Sequence, residues 1–166
     1  MLYGFPGSGK TFVARQLCED LNAAHVQADR IRYELFDQPR FDHQENEIVN
    51  HLMNYMTEEF LNAGVSVIYD TNSSRLKERR DLRDMVRKLK AESLLIWLQI
   101  DVESAFARVQ KRDRRKTDDH YANALDRTSF ESILSHMQNP SSTEDYAVIS
   151  GKHNYQTQRN AILKKL

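Results

Sequence analysis

A single cysteine, Cys18, stands in this chain of 166 residues, so no internal disulfide can form and the composition fits a reducing cytoplasm. Cys18 lies near Val13 and Leu17 on the first helical pattern and is expected to be a small buried apolar residue. No apolar run approaches the ~20 residues needed to cross a bilayer, and no secretory signal is legible. There is no net charge, with 24 basic against 24 acidic residues. That balance argues against a protein that coats duplex DNA, while leaving room for local basic patches. The six histidines form no HxH, HExxH or His/Cys grouping with metal spacing, so no zinc site is expected. No Ser-His-Asp arrangement, internal repeat, low-complexity tract or interdomain linker is apparent. What is present is the make-up of an ordinary globular domain, 40% hydrophobic and 29% charged. The length suits one domain, residues 1–166, burying roughly 70% of its unfolded surface.

The most informative stretch is Gly4-Phe5-Pro6-Gly7-Ser8-Gly9-Lys10-Thr11, which matches G-x-x-x-x-G-K-[ST]. Its glycines let the backbone turn tightly and aim successive N–H groups at the phosphates of a nucleotide. Lys10 would reach the outer phosphates, and the Thr11 hydroxyl would ligate Mg²⁺. A helix starting near Lys10 adds its positive end to the same anion site. The apolar start Met1-Leu2-Tyr3 and the helical pattern Phe12, Val13, Leu17 give the motif its strand and helix. The strand is short, so either it is truncated or the chain begins inside the natural domain.

Beyond the motif, short apolar runs alternate with helical periodicities, the pattern of βα units and a parallel sheet. Strands are expected at residues 2–4, 25–28, 65–69, 94–100 and 147–149. Helices are expected at 10–21, 31–36 with 45–62, 75–90, 102–112, 129–137 and 156–166. The stripe Ile48, Leu52, Met56, Phe60 would pack the long helix on the sheet, with its methionines as core filler. Gly64 reads as a helix stop. The result is a three-layer α/β domain.

Three groups carry chemistry. Asp29 follows an expected strand, where open parallel sheets place ligand sites, and Arg32 follows it in the spacing D-x-x-R. A carboxylate there would take the proton of an attacking hydroxyl, and the arginine would hold an acceptor phosphate or carboxylate. A plain helix cap is the bland alternative for Asp29. Asp70 closes the run Val65-Ser66-Val67-Ile68-Tyr69 in the manner of a Walker B strand and would help to hold Mg²⁺. Thr71-Asn72 beyond it would cap the next helix or touch substrate. Arg108, Lys111, Arg112, Arg114, Arg115 and Lys116 form a basic segment of lid character, in which Arg108 and Arg112 would meet the nucleotide. A second basic cluster, Arg75 to Lys90, is interrupted by Glu78, Asp81 and Asp84 and reads as a salt-bridged helix surface. Contact with a nucleic-acid strand is its minority reading, and few aromatics are interleaved for stacking.

In order and kind these motifs resemble the AAA_33-type P-loop kinases, whose relatives include the polynucleotide 5′-hydroxyl kinase domain, the zeta toxins and the chloramphenicol phosphotransferases. The matching stretches are the P-loop, Asp29-Arg30-Ile31-Arg32, Val67-Ile68-Tyr69-Asp70-Thr71-Asn72, and Ala105-Phe106-Ala107-Arg108 with Arg112. The spacing of Phe130, Pro140 and Glu144 is also similar. The resemblance implies a nucleoside-monophosphate-kinase-like sheet of order 2-3-1-4-5 with an arginine-bearing lid at about 108–123. It makes Asp29 the general base and Arg32 the acceptor contact, with Lys10, Arg108 and Arg112 on the transferring charge. ATP would be held by Gly7, Ser8, Gly9, Lys10, Thr11, Phe12, Arg108 and Gly151, and Mg²⁺ by Thr11 and Asp70. Ser150-Gly151-Lys152-His153 resembles a loop that lines adenine in such kinases. The lid stretch departs from that of polynucleotide kinases. The leading expectation is a cytoplasmic ATP-dependent kinase acting on a polynucleotide 5′-hydroxyl. A small-molecule or nucleotide-sugar hydroxyl is the alternative, and an ATPase or switch module without an acceptor is the second.

Overall fold

The computed structural model describes all residues except Ser73, Arg114, Lys116, Thr117, Asp118, Asp119 and Asn123. Much of the expected lid, 108–123, therefore lies outside the described residues. The elements run β1 (Leu2–Tyr3), α1 (Lys10–Leu21), β2 (Ala24–Gln27), α2 (Ala28–Leu35), α3 (His43–Asn62) and β3 (Val67–Asp70). They continue with α4 (Leu76–Lys88), β4 (Leu95–Gln99), α5 (Val102–Gln110), α6 (Arg127–Ser135), β5 (Tyr146–Ser150) and α7 (Tyr155–Leu163). All strand pairs are parallel, as crossover helices require.

Pairing runs β2-β3 in one ladder and β1-β4-β5 in another. β3 lies against β1, so the strands follow the order 2-3-1-4-5, with no ladder joining β3 to β1 among the described residues. The reason is the brevity of β1. Its two residues pair with Ile96 and Trp97, and the carbonyl just before it accepts from the Ile96 N–H at 2.8 Å.

Three apolar clusters hold the layers together. Leu2, Val13, Leu17, Leu98, Ile149 and Ile162 join α1 and α7 to the β1-β4-β5 half. Val26, Ile31, Val49, Met53, Tyr69, Leu82 and Val86 join α2, α3 and α4 to the β2-β3 half. Ala105, Val109 and Phe130 pack α5 on α6. Each fully buried aliphatic side chain is worth about 1.5–3 kcal/mol. Among the described residues no helix is long and apolar enough to cross a membrane.

Helix starts follow from short polar caps. Asp42, Asp101, Asp126 and Asn154 each accept from the N–H three residues on, at 2.9, 2.8, 2.7 and 3.0 Å. Gly64, at φ +75°, sits just past the end of α3, where the sequence suggested a stop.

Four expectations need correction. The most buried line of α3 is Glu45, Val49, Met53, Thr57; Leu52, Met56 and Phe60 of the expected stripe pack half-buried against the same cluster, and Ile48 alone of those four is exposed, at 44%. The helix turns one residue further because Glu45 is drawn inward by Arg32, Arg40 and two backbone amides. The basic helix α4 is not simply a salt-bridged surface: Arg79 is fully buried and, with Arg83, reaches Glu144 across the chain. Cys18 is half-buried, not enclosed. α5 stops at Gln110, two residues short of the expected end, which leaves Arg112 on the turn that follows.

Candidate active site

The C-terminal ends of β1, β2 and β3 open into one cleft of about 790 Å³, within the range of small-ligand sites. β1 runs into the P-loop, and the loop closes on α1 through Gly9, which takes a left-handed conformation at φ +98° as the residue before the helix. No side chain caps α1. Its first N–H groups therefore keep their positive end for a ligand. A Cβ on Gly9 would meet nothing within 4 Å, so the space over the helix end is open. The Ser8 hydroxyl is buried with no hydrogen-bond partner among the described residues.

Lys10 is folded back on the loop, donating to the Gly4 and Phe5 carbonyls at 2.8 and 3.0 Å. Burial pulls its pKa down to about 8, against the pull of Asp70 upward, and Arg112 lowers it further. An uncapped helix end, an orphaned hydroxyl, open space and an under-compensated lysine are what a polyphosphate would satisfy. The residues present fit a nucleotide.

Asp29 needs no loop to reach the cleft, because β2 passes directly into α2 and places it in the first helical turn. Its carboxylate has no hydrogen-bond donor among the described residues. Burial raises its pKa and the nearby Asp70 charge raises it again, while Arg32, Arg112 and Lys10 oppose. The influence of Arg112 and Lys10 on Asp29 marks the point where the three converge. Arg32 also lines the cleft but is buried, with Nη1 on Glu45 Oε2 at 3.1 Å and Nη2 on Asn46 Oδ1 at 2.5 Å. Its guanidinium stacks over the Phe41 ring at 4.7 Å. Two of its three nitrogens are thus taken by the protein itself.

Asp70 ends β3 and is 4% exposed. His25 Nε2 lies 3.1 Å from its Oδ2. With the Thr11 hydroxyl beside the same cleft, these oxygens are hard donors of the kind Mg²⁺ takes. No group of three His, Cys, Asp or Glu side chains gathers for a metal among the described residues. This donor set fits a cation shared with phosphate oxygens rather than one held by protein alone.

On the opposite wall, Arg108 Nη1 donates to the Gly151 carbonyl at 2.9 Å and approaches that of Gly7 at 3.5 Å. Arg108, Lys111, Arg112, Gly7 and Phe12 all line the cleft. Gly151 does not. It is buried behind the P-loop, where a Cβ would come within 2.5 Å of the Ser8 carbonyl. Phe12 is exposed, edge-on to Tyr155 at 6.3 Å. Asn72 lines the cleft at the far side.

Sequence reasoning missed His25 and Glu45. The link of His25 to Asp70 becomes visible only once β2 and β3 are paired in register, His25 beside Ile68 and Gln27 beside Asp70. Glu45 carried a usable signal in its position three residues after the cap Asp42.

A parallel sheet with a P-loop, a carboxylate after the second strand and arginines after the fourth define the fold class of the P-loop kinases. More particularly, the AAA_33 family model, an AAA domain, matches residues 1–140, and the chain belongs to that family. Kti12 of Chaetomium thermophilum, in complex with ADP-AlF3, superposes with a TM-score of 0.79 at 17% identity, covering 98% of this chain and 94% of that one. The Mycobacterium tuberculosis APS kinase, in complex with AMPPNP and APS, gives 0.73 at 15% identity, covering 99% and 94%. A sugar kinase from Janibacter sp. HTCC2649 gives 0.69 at 16% identity, covering 98% and 90%. At such identities these likenesses establish the fold. No curated protein sequence matches this chain.

Proposed function

We propose that this chain is an ATP-dependent kinase that transfers the γ-phosphoryl group to a hydroxyl of a small-molecule acceptor. The observation that carries it is the unpartnered Asp29 carboxylate, with its raised pKa, in the same cleft as Lys10 and Arg112. A phosphate-binding loop alone would serve a switch equally well. A free base beside it serves an attacking hydroxyl. The kinase names of several structural neighbours support the reaction class.

In this reading Asp29 accepts the proton as the acceptor oxygen bonds to the γ-phosphorus, and the bond from that phosphorus to the β,γ-bridging oxygen breaks to release ADP. Lys10, the P-loop amides and Arg112 lie where charge spreads in the transition state. Arg108, now on the Gly7 and Gly151 carbonyls, would turn to the phosphates when nucleotide binds. Mg²⁺, when bound, would neutralise phosphate charge, held by Thr11 and Asp70 with His25 orienting the Asp70 carboxylate.

The acceptor class follows the distribution of charge. A polynucleotide 5′-hydroxyl needs cations for the adjoining phosphates. Arg32 is committed to Glu45 and Asn46, Arg79 and Arg83 to Glu144, and the side chains that α4 brings to the cleft are Glu78, Asp81 and Leu82. That arrangement favours the small-molecule alternative over the polynucleotide one. Arg32 then serves to hold Glu45 and the entry to α3 rather than an acceptor phosphate.

The test is transfer of labelled γ-phosphate from ATP to a panel of hydroxyl acceptors. Asp29→Asn is expected to lower transfer by about 10²–10⁴-fold with nucleotide affinity within a few-fold of the parent. Full activity in that variant would remove Asp29 as the base. Hydrolysis without any labelled acceptor would favour the switch reading.

A further inference from the structure

The end of the cleft away from the P-loop is walled by α3 and α4. Asn46, Asn50 and Asn54 recur at four-residue spacing, so they form one row along α3, and all three line the cleft. Two of these amides are oriented by neighbours. Asn46 Oδ1 accepts from Arg32 and Asn54 Oδ1 accepts from the Tyr69 hydroxyl at 3.0 Å, which leaves both NH₂ groups as unused donors among the described residues. Asn50 makes no hydrogen bond among the described residues. On the other wall α4 brings Asp81 and Glu78. The Asp81 carboxylate has neither hydrogen bond nor ion pair among the described residues, and Glu78 is used only by the Arg75 N–H at 3.3 Å.

We propose that this end is the acceptor subsite and that it takes a small, uncharged, polyhydroxylated compound of the sugar or cyclitol class. The proposal rests on the phosphoryl-transfer reading for its reaction, though the subsite itself stands on its own geometry. A hydroxyl both donates and accepts, so a ring bearing several suits a wall of amide donors facing a wall of carboxylate acceptors. Hydrogen bonds to the Asp81 carboxylate would be the strong ones. An anionic acceptor at this end would meet Asp81 and Glu78, while the cleft's cations Lys10, Arg108, Lys111 and Arg112 come from the start of α1, from α5 and from the turn after α5. Arg32, the cation that α2 brings to the cleft, is already paired with buried Glu45. Phe41, under the Arg32 guanidinium, adds an apolar ring to the lining for the C–H face of such a compound.

Binding and transfer are measured separately on the whole protein. Saturation-transfer NMR with AMPPNP present probes neutral hexoses, pentoses and cyclitols against glucose 6-phosphate and a 5′-hydroxyl oligonucleotide. The expected result is binding of a neutral polyol, weakened about tenfold or more by Asp81→Ala and by Asn50→Ala. In the transfer assay both changes raise KM and leave kcat near the parent value, whereas Asp29→Asn binds the polyol and fails to transfer. Polyol binding without transfer in the parent would support the subsite and overturn the kinase reading. Transfer to glucose 6-phosphate or the oligonucleotide with no neutral polyol bound would keep the kinase and overturn this proposal. So would polyol binding unmoved by both substitutions, or no polyol binding at all.

Discussion

Glu144→Gln is the substitution that most directly probes what holds the cleft in place. Glu144 precedes β5 and receives Arg79 in a two-pronged bond, Nε to Oε1 at 2.8 Å and Nη2 to Oε2 at 2.9 Å. Arg83 adds a contact at 2.5 Å and the Ser141 N–H another at 3.1 Å. The side chains of Arg79 and Glu144 are both 0% exposed, and the Arg79 guanidinium lies 5.0 Å over the Tyr3 ring, one residue before the P-loop. Replacing the carboxylate by an amide leaves Arg79 charged, desolvated and without its anion. Breaking a buried pair from one side costs about 3–5 kcal/mol, a large part of the ~5–15 kcal/mol that holds a domain folded. For a chain of this length that corresponds to a fall in Tm of about 6–20 °C, read by calorimetry at pH 7. The arginines and backbone amide also hold the Glu144 carboxyl below its usual value of 4.5, against the opposing effect of burial. Its contribution is therefore complete above pH 4.5 and lost as pH falls through the lower folded value. The acid limb of the stability curve should accordingly be shallower in Glu144→Gln. A loss under about 1 kcal/mol, some 2–4 °C, would refute the premise that buried Arg79 depends on the Glu144 carboxylate.

Three further outcomes are expected. Lys10 in the free protein has a pKa of about 8, and a bound polyphosphate would raise it, so the bound form holds more protons. Nucleotide affinity, measured by titration calorimetry, should then fall as pH rises above 8, by at most about tenfold per unit, and Lys10→Met should abolish the dependence along with most binding. Gly151→Ala should weaken nucleotide binding at least tenfold, since the added Cβ would come within 2.5 Å of the Ser8 carbonyl and displace the P-loop; unchanged affinity would show that the loop yields. Leu17→Ala, in the cluster under α1, should cost about 2–5 kcal/mol in urea unfolding without altering the pH dependence of binding.

The legible parts of this protein were those written in local sequence. The P-loop is legible because eight consecutive residues each do one job, and α1 begins and ends where its pattern says. The alternation of apolar runs and helical periods gave all five strands, since a buried parallel strand is a short apolar run wherever it occurs. Asp29 and Asp70 both line the cleft, as positions at or just after strand ends in such sheets are expected to. What stayed hidden depends on which way a helix faces. Leu52, Met56 and Phe60 of the expected stripe do pack on the core, yet Glu45, with Arg32, Arg40 and two amides to satisfy it, centres the buried face of α3 one residue along, on Val49 and Met53.

That same placement bears on the proposed acceptor side. With Val49 and Met53 inward, Asn46, Asn50 and Asn54 come to the cleft wall, and a helix that reads as apolar filler becomes a row of amide donors. On α4 the basic residues read as a salt-bridged surface, whereas Glu144, 65 residues from Arg79, takes two of them across the chain, and Asp81 and Glu78 line the cleft. Chemistry at the phosphate end is thus set by backbone and local motif. The proposed acceptor end is shaped by two buried carboxylates: Glu45 takes Arg32, which its spacing offered to an acceptor, and Glu144 takes Arg79 and Arg83. The removal of these carboxylates is expected to disturb acceptor recognition before it disturbs nucleotide binding.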